Sequence, residues 1–199
     1  MIIELLKNRC SVRRFQARPV PQAALEEILE AGRLSPSGGN EQPWAFGVIT
    51  DPDLILQIAQ VAHHQRWIGR APLLVVLCTL PVDDARGGRD IQLHRYPRLA
   101  QDIADIDQRL YWAINLEEHQ TKIAGTHMAL AALEHGVGSC WVSLFDVEKL
   151  AELLNLPQNY LPAEILVFGY PEGGQVPVRK KSLDELVFYN TYQAQTQHD

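Results

Sequence analysis

Apolar positions recur along the chain with two different periods, and the alternation between them predicts the elements. Over residues 22–34, Leu25, Ile28, Leu29 and Gly32 share one helical face while Glu26, Glu27 and Glu30 lie elsewhere. That pattern predicts an amphipathic helix, with Pro21 suited to its first turn. Residues 44–50 include aromatic and β-branched residues and read as a strand. Asp51-Pro52 then starts a helix that runs to about residue 63. Residues 72–79 are continuously apolar, which predicts a central strand buried on both faces. A helix is expected from about 99 to 135, with a break near 112–116. Residues 123–133 are apolar almost all round and are expected to be buried, and Gly136 ends the helix. Two further strands are predicted at 139–144 and 165–169, with a short helix at 146–154 between them. Helices and strands mix without strict βα alternation, so the class is α+β with a central sheet covered by helices.

The polar stretches mark what this framework carries. Residues 81–98 contain Asp83-Asp84, Gly87-Gly88 and scattered Arg and His, the best candidate for a mobile or variable lid. From 171 the chain is basic at Arg179-Lys180-Lys181 and then carries Leu183, Leu186, Val187 and Phe188. An apolar segment after a loop docks on its own core or on a partner subunit.

Composition narrows the function classes. With 199 residues, 46% hydrophobic and 21% charged, the chain suits one soluble globular domain. A net charge of −6 argues against duplex nucleic acid. The start, Met1-Ile2-Ile3, is interrupted by Glu4, Lys7 and Arg9 before a signal-peptide core forms, and the longest apolar run, 71–80, is too short to span a bilayer. Three dispersed cysteines without a C-x-x-C pair fit a reducing compartment, and the expectation is a cytoplasmic protein with no membrane partner.

Two short segments can carry chemistry. In Arg9-Cys10-Ser11-Val12-Arg13, an extended backbone puts Arg9, Ser11 and Arg13 on one side, where two guanidinium groups and a hydroxyl suit a phosphate or an electron-rich carbonyl. A solvated basic turn explains the same residues. In Ser35-Pro36-Ser37-Gly38-Gly39-Asn40-Glu41-Gln42-Pro43-Trp44, the glycines allow close approach of a flat ligand, and Asn40 and Gln42 each offer an amide donor and a carbonyl acceptor. A helix end followed by a turn and a strand explains it equally. Cys10, beside two arginines, is either a redox thiol or a small residue in a tight loop. The seven histidines show no H-E-x-x-H spacing, and His63-His64 point about 100° apart on a helix, so no metal site is expected. No G-x-S-x-G, G-x-G-x-x-G or G-K-[ST] is present.

Taken in order, these pieces resemble the nitroreductase family of FMN-dependent oxidoreductases. Residues 9–13 look like its opening Arg-x-Ser-x-Arg, and residues 35–44 like its Ser-Pro-Ser-x-x-Asn-x-Gln-Pro-Trp. Residues 131–141 are similar to its buried helix and following Gly-x-Gly-x-x-Trp strand. Phe168-Gly169-Tyr170-Pro171 and Lys180-Lys181-Ser182-Leu183 resemble its closing Gly-x-Pro and Arg-Lys-x-Leu. The resemblance implies one sandwich-like α+β domain over 1–199, with a central, mostly antiparallel sheet flanked by helices. It also implies an interlocked homodimer in which 171–199 wraps the partner, 81–115 forms the lid, and FMN sits at the subunit interface.

Carried over by position, Arg9 and Ser11, with Cys10 between them, and the 179–181 cluster (Arg179 and Lys180 foremost) would hold the FMN phosphate. Arg13 would approach the pyrimidine edge of the ring. Ser37, Gly38, Asn40 and Gln42 would line ring and ribityl chain, and Trp141, Val142 and Ser143 would complete the pocket through their backbone. The implied reaction is ping-pong hydride transfer from NAD(P)H through flavin N5 to a nitroaromatic, quinone or activated alkene, with no catalytic acid or base named. Where larger members carry an Asn and a Lys near the flavin edge, this chain reads His63-His64-Gln65-Arg66-Trp67, leaving His64 and Trp67 as candidates. Tyr96, Arg98, Tyr111 and Trp112 either shape a substrate site or pack. Reductive dehalogenation, flavin-consuming chemistry on the same fold, and a non-catalytic flavin-binding homodimer are the alternatives.

Overall fold

Six apolar residues and a threonine in a row place one strand, β2 (Leu73–Thr79), at the centre, and every one of them is buried. The computed structural model describes residues 2–81, 88–114, 118–174 and 178–192. Around β2 lie β1 (Trp44–Ile49), β3 (Gly138–Val142) and β4 (Leu161–Gly169), in the spatial order β1-β2-β4-β3 and antiparallel at each pairing. Helices α1 (Ile2–Asn8), α2 (Gln22–Arg33) and α3 (Pro52–Val61) precede β2. After it come α4 (Gly88–Arg95), α5 (Ala100–Asp105), α6 (Gln108–Ile114), α7 (Glu118–Glu134), α8 (Val147–Leu153) and α9 (Leu183–Leu186).

Alternation along β2 and β4 divides the interior between the two faces of the sheet. Leu74, Val76, Ile165 and Val167 pack with Ile55 and Ile58 of α3 and Leu150 of α8. Leu73, Val75, Leu166 and Phe168 pack with Ile28 of α2 and Met128 of α7. The class and the antiparallel, helix-covered sheet are as the sequence predicts. Gly125 explains how closely α7 approaches: a Cβ there would collide with Leu77 and would stand 2.8 Å from the Trp141 ring.

Three expectations need correction. The helix expected from 99 to 135 has its expected break between α6 and α7, and a further one before α6, because the Asp107 carboxylate accepts from the Arg109 and Leu110 backbone N–H groups and starts α6 afresh. Residues 123–133 are not buried all round. Ala124, Met128, Ala129 and Ala132 face inward, whereas Ile123 is 38% exposed, since only one side of α7 meets the sheet and α2. Strand β4 starts at Leu161 rather than 165. It admits Pro162 at a register shift opposite Leu77 and Cys78, where a missing N–H is tolerated.

Residues 88–114 of the expected lid segment are helical, and residues 82–87 and 115–117 lie outside the described residues. Arg89 ties this segment together. Its guanidinium donates to the carbonyls of Ile103, Ala104 and Ile106 and to Gln108 Oε1, and it lies 4.7 Å from the centre of the Tyr111 ring. Tyr111 is buried, whereas Tyr96 is exposed. The tail leaves Leu183, Phe188, Tyr189 and Tyr192 at 75, 58, 83 and 75% exposure. Residues 175–177 and 193–199 of it lie outside the described residues.

Candidate functional site

The Arg9–Arg13 segment is held against the edge strand β3. Val12 N–H donates to the Ser139 carbonyl at 3.0 Å, and Ser11 bridges Ser139 in parallel. Gly138 permits the approach, because a Cβ there would stand 2.5 Å from Val12 Cγ2. Buried Val12 and Phe15 anchor the segment and leave Ser11 and Arg13 exposed. Arg13 stacks over Trp67 at 5.7 Å, and Phe15 lies 6.5 Å from the same ring. Of the two aromatic candidates after α3, Trp67 is therefore the one joined to this segment, while His64 is exposed.

Arg9, Cys10, Ser11 and Arg13 border a cavity of about 530 Å³, and Lys180 reaches the same cavity from the far end of the chain. Pro171, Glu172 and Gly174 form its other wall. Arg179 is not among its lining residues. The donor set is what a phosphate needs: guanidinium, ammonium and hydroxyl groups converging from two segments. Cys10 is half-buried and packs against the core, while Cys78 and Cys140 are buried. Burial pushes the Cys78 thiol up to about 12. Burial also raises Cys140, against the opposing pull of Arg13, a hydrogen bond from Ser11, and Arg9. Neither buried thiol suits nucleophilic chemistry.

The 35–42 loop has its own scaffold. Gly38 N–H donates to Gln120 Oε1 at 2.7 Å, and Gln42 N–H donates to Ser37 Oγ at 2.9 Å. Gln42 Nε2 donates to the Asn40 carbonyl at 3.3 Å. Gly39, Asn40 and Gln42 all have left-handed backbone, with φ of 56, 57 and 51°. For Asn40 and Gln42 that conformation costs on the order of 1 kcal/mol each, and such strain collects where a loop is shaped for a ligand. Ser35, buried beneath the loop, meets His127 Nδ1 at 2.7 Å.

Within one chain the two segments stand at opposite corners of the sheet. The loop feeds Trp44, which pairs with Thr79, which in turn pairs with Leu161. Ser11 meets Ser139, which pairs with Phe168, which pairs with Leu73. Three strand spacings across and six residues along separate these corners, a diagonal of roughly 25 Å.

Trp141, Val142 and Ser143 run along the β3 edge between these levels. Trp141 is half-buried under α7, Val142 is buried on the opposite face, and Ser143 is exposed at the strand's end. Ser143 lines a second cavity of about 210 Å³, together with Trp112, Lys122, Phe145 and Glu164.

Residues that sequence reasoning did not single out hold these parts in place. The first turns of α7 present Gln120 to the loop, Thr121 to the sheet and Lys122 to β4. Thr79 Oγ1 donates to Thr121 Oγ1 at 2.7 Å, and Thr121 donates to the Pro43 carbonyl at 3.3 Å. Lys122 Nζ meets Glu164 Oε1 at 3.0 Å, and the Ser143 hydroxyl meets both oxygens of the same carboxylate at 2.8 Å. A lone acidic residue within the apolar run before Gly169 was the available signal for Glu164.

No helix among the described residues is long and apolar enough to cross a membrane. The Nitroreductase family profile matches residues 6–170. The chain is 30% identical over 194 residues to an NADH dehydrogenase of Thermus thermophilus, covering 92% of this chain and 93% of that protein. It is 34% identical over 164 residues to an oxygen-insensitive NADPH nitroreductase of Helicobacter acinonychis, covering 76% and 78%. A nitroreductase family protein from Streptococcus pneumoniae superposes with a TM-score of 0.75 at 20% identity, over 96% of this chain and 100% of that one. The profile takes in the Arg9–Arg13 segment, the 35–44 loop and the β3 edge on which the two corners depend, and the chain belongs to the nitroreductase family.

Proposed function

We propose that this oxidoreductase binds FMN between two copies of itself and uses NAD(P)H to reduce a nitroaromatic, a quinone or an activated alkene. The observation that carries the reading is the cavity in which Arg9, Ser11 and Arg13 meet Lys180. Those residues are remote in sequence and share one chemistry, recognition of an anionic and electron-rich ligand. Glu172 borders the same cavity and leaves the cationic groups in excess.

In this reading Arg9, Ser11 and Lys180 hold the phosphate, with Cys10 packed behind them. Arg13, steadied by Trp67, faces the pyrimidine edge, where a cation favours the reduced, anionic ring. Trp141, Val142 and Ser143 border the ring through backbone. The partner supplies Ser37, Gly38, Asn40 and Gln42, because one chain's own loop lies a sheet diagonal away. Bound FMN would supply the two-electron chemistry between nicotinamide and acceptor. The exposed apolar tail, Leu183 to Tyr192, covers the partner, and residues 88–114 border the acceptor's entry. Relatives named for NADH and for NADPH leave both nicotinamides as candidate donors. Free thiols at all three cysteines suit a reducing cytoplasm.

Absorbance of the purified protein, followed by anaerobic titration with NADH and then NADPH, tests the reading. A yellow protein bleached by either donor is expected. A protein that stays colourless with added FMN would sink the proposal, and one that binds FMN without being reduced would leave a flavin-binding dimer. NAD(P)H oxidation in air without an added acceptor, with flavin absorbance that reoxidation does not restore, would point to flavin-consuming chemistry. Arg13→Ala and Asn40→Ala should each weaken FMN binding by about 10- to 100-fold, the scale of a lost charge-assisted or buried hydrogen bond. Unchanged affinity in both would refute the site assignment.

A further inference from the structure

Glu164 breaks the pattern of its strand. The next four residues of β4, Ile165 to Phe168, are apolar and wholly buried, and Glu164 is itself only 3% exposed. Burying a carboxylate is costly unless it is paired. Here it is paired twice, by Lys122 from α7 and by Ser143 from the end of β3. Such a cluster is no better for stability than apolar residues of the same volume. A rule broken without a gain in stability points to a functional site.

Location gives the function. Alternation with Leu166 and Phe168 puts Glu164 on the face that α7 covers, next to the register shift opposite Leu77 and Cys78. Ser143 opens the turn after β3. The next residue, Leu144, is pinned from the other side, where its carbonyl accepts from Gln65 Nε2 at 3.1 Å. The turn is thus braced on both flanks. Glu164, Lys122 and Ser143 all line the 210 Å³ cavity, so the charged pair borders open space rather than a sealed core.

We infer that the Lys122–Glu164 pair is a positioning and tuning element for the redox group: it fixes the Ser143 turn and balances a negative charge beside the bound ring. This rests on the FMN reading above. The two charges act with opposite signs on a ring that becomes anionic on reduction. With Glu164 neutralised, the remaining ammonium favours the reduced ring. With Lys122 neutralised, the remaining carboxylate disfavours it.

The test is the midpoint potential of bound FMN, with the affinities for oxidised and reduced FMN measured alongside. Glu164→Gln should raise the potential and Lys122→Met should lower it. Each should change the ratio of oxidised to reduced affinity by about tenfold, in opposite directions, as expected for a change of one unit charge near the ring at an effective dielectric of about 20. Lys122→Arg and the double variant should stay near wild type. Lys122 is a third exposed, so its variants remain informative should Glu164→Gln fail to fold. Potentials unchanged in Lys122→Met, or single variants shifting in the same direction, would overturn the inference while FMN binding stood. A wild-type protein that takes up no FMN would instead fail the cofactor reading, before any variant is made.

Discussion

The sheet and the 88–114 segment are held together on opposite terms. Strand β2 has no exposed residue, and its neighbours on both faces are mostly apolar, so its stability comes largely from non-directional burial spread over many side chains. The 88–114 segment buries Gly88, Gln92 and Tyr111 among its described residues and depends on one arginine reaching three carbonyls and an amide. A structure resting on many small terms unfolds as a whole. One resting on a few directional bonds opens locally at lower free energy. Under the function proposed above, the sheet would keep the two corners in register while the neighbouring segment opened to substrate.

Breaking the sheet should have the largest effect. Phe168→Ala should cost about 3–5 kcal/mol in urea unfolding, since the ring is wholly buried between sheet and helices. Alkali should probe the same region next. Folding keeps the Cys78 thiol neutral, up from its ordinary value of 9.0 to about 12, so the unfolded chain gives up this proton first. Stability should therefore be intact below pH 9 and fall as pH rises from 9 toward 12, by at most about 4 kcal/mol from this group. Cys78→Ala should flatten that slope in a pH series of urea midpoints.

Arg89→Ala should sharpen the contrast from the other side. Hydrogen exchange should show protection falling in 88–111, by an opening free energy of about 1.5–3 kcal/mol, with β2 amides unchanged. Equal loss of protection in β2 would show that the two regions unfold together. The smallest effect should come from Asp51, whose carboxylate accepts from the Asp53 and Leu54 N–H groups at the start of α3. Asp51→Ala should cost about 1 kcal/mol in global stability and leave the 88–114 segment untouched.

The same contrast explains what could be read from the sequence. Strand β2 was legible because burial on both faces leaves an unbroken apolar run, and α2 because its glutamates fall on one side. The Arg9–Arg13 segment and the 35–44 loop were legible through the order of their motifs. Asp107 was not, since a cap in the middle of a helical pattern looks like one more polar residue on its surface. Nor was the start of β4 at Leu161, where a register shift admits Pro162 into the strand. Gln120, Thr121 and Lys122 carry no periodic signal. Each is a polar residue on a helix, and only the packed structure shows that they point to a loop, a strand end and a buried carboxylate.

The diagonal placement of the two corners has a genetic consequence. If a ligand needs the arginine corner of one chain and the loop corner of another, damage to either corner is shared unequally between the two sites of a dimer. A chain carrying Arg13→Ala and one carrying Asn40→Ala would each form defective homodimers. In a mixed dimer both lesions fall on a single site, and the other is made wholly of undamaged corners. Random pairing makes about half of all dimers mixed, which restores about a quarter of the sites. Two inactive alleles would then complement each other in one cell.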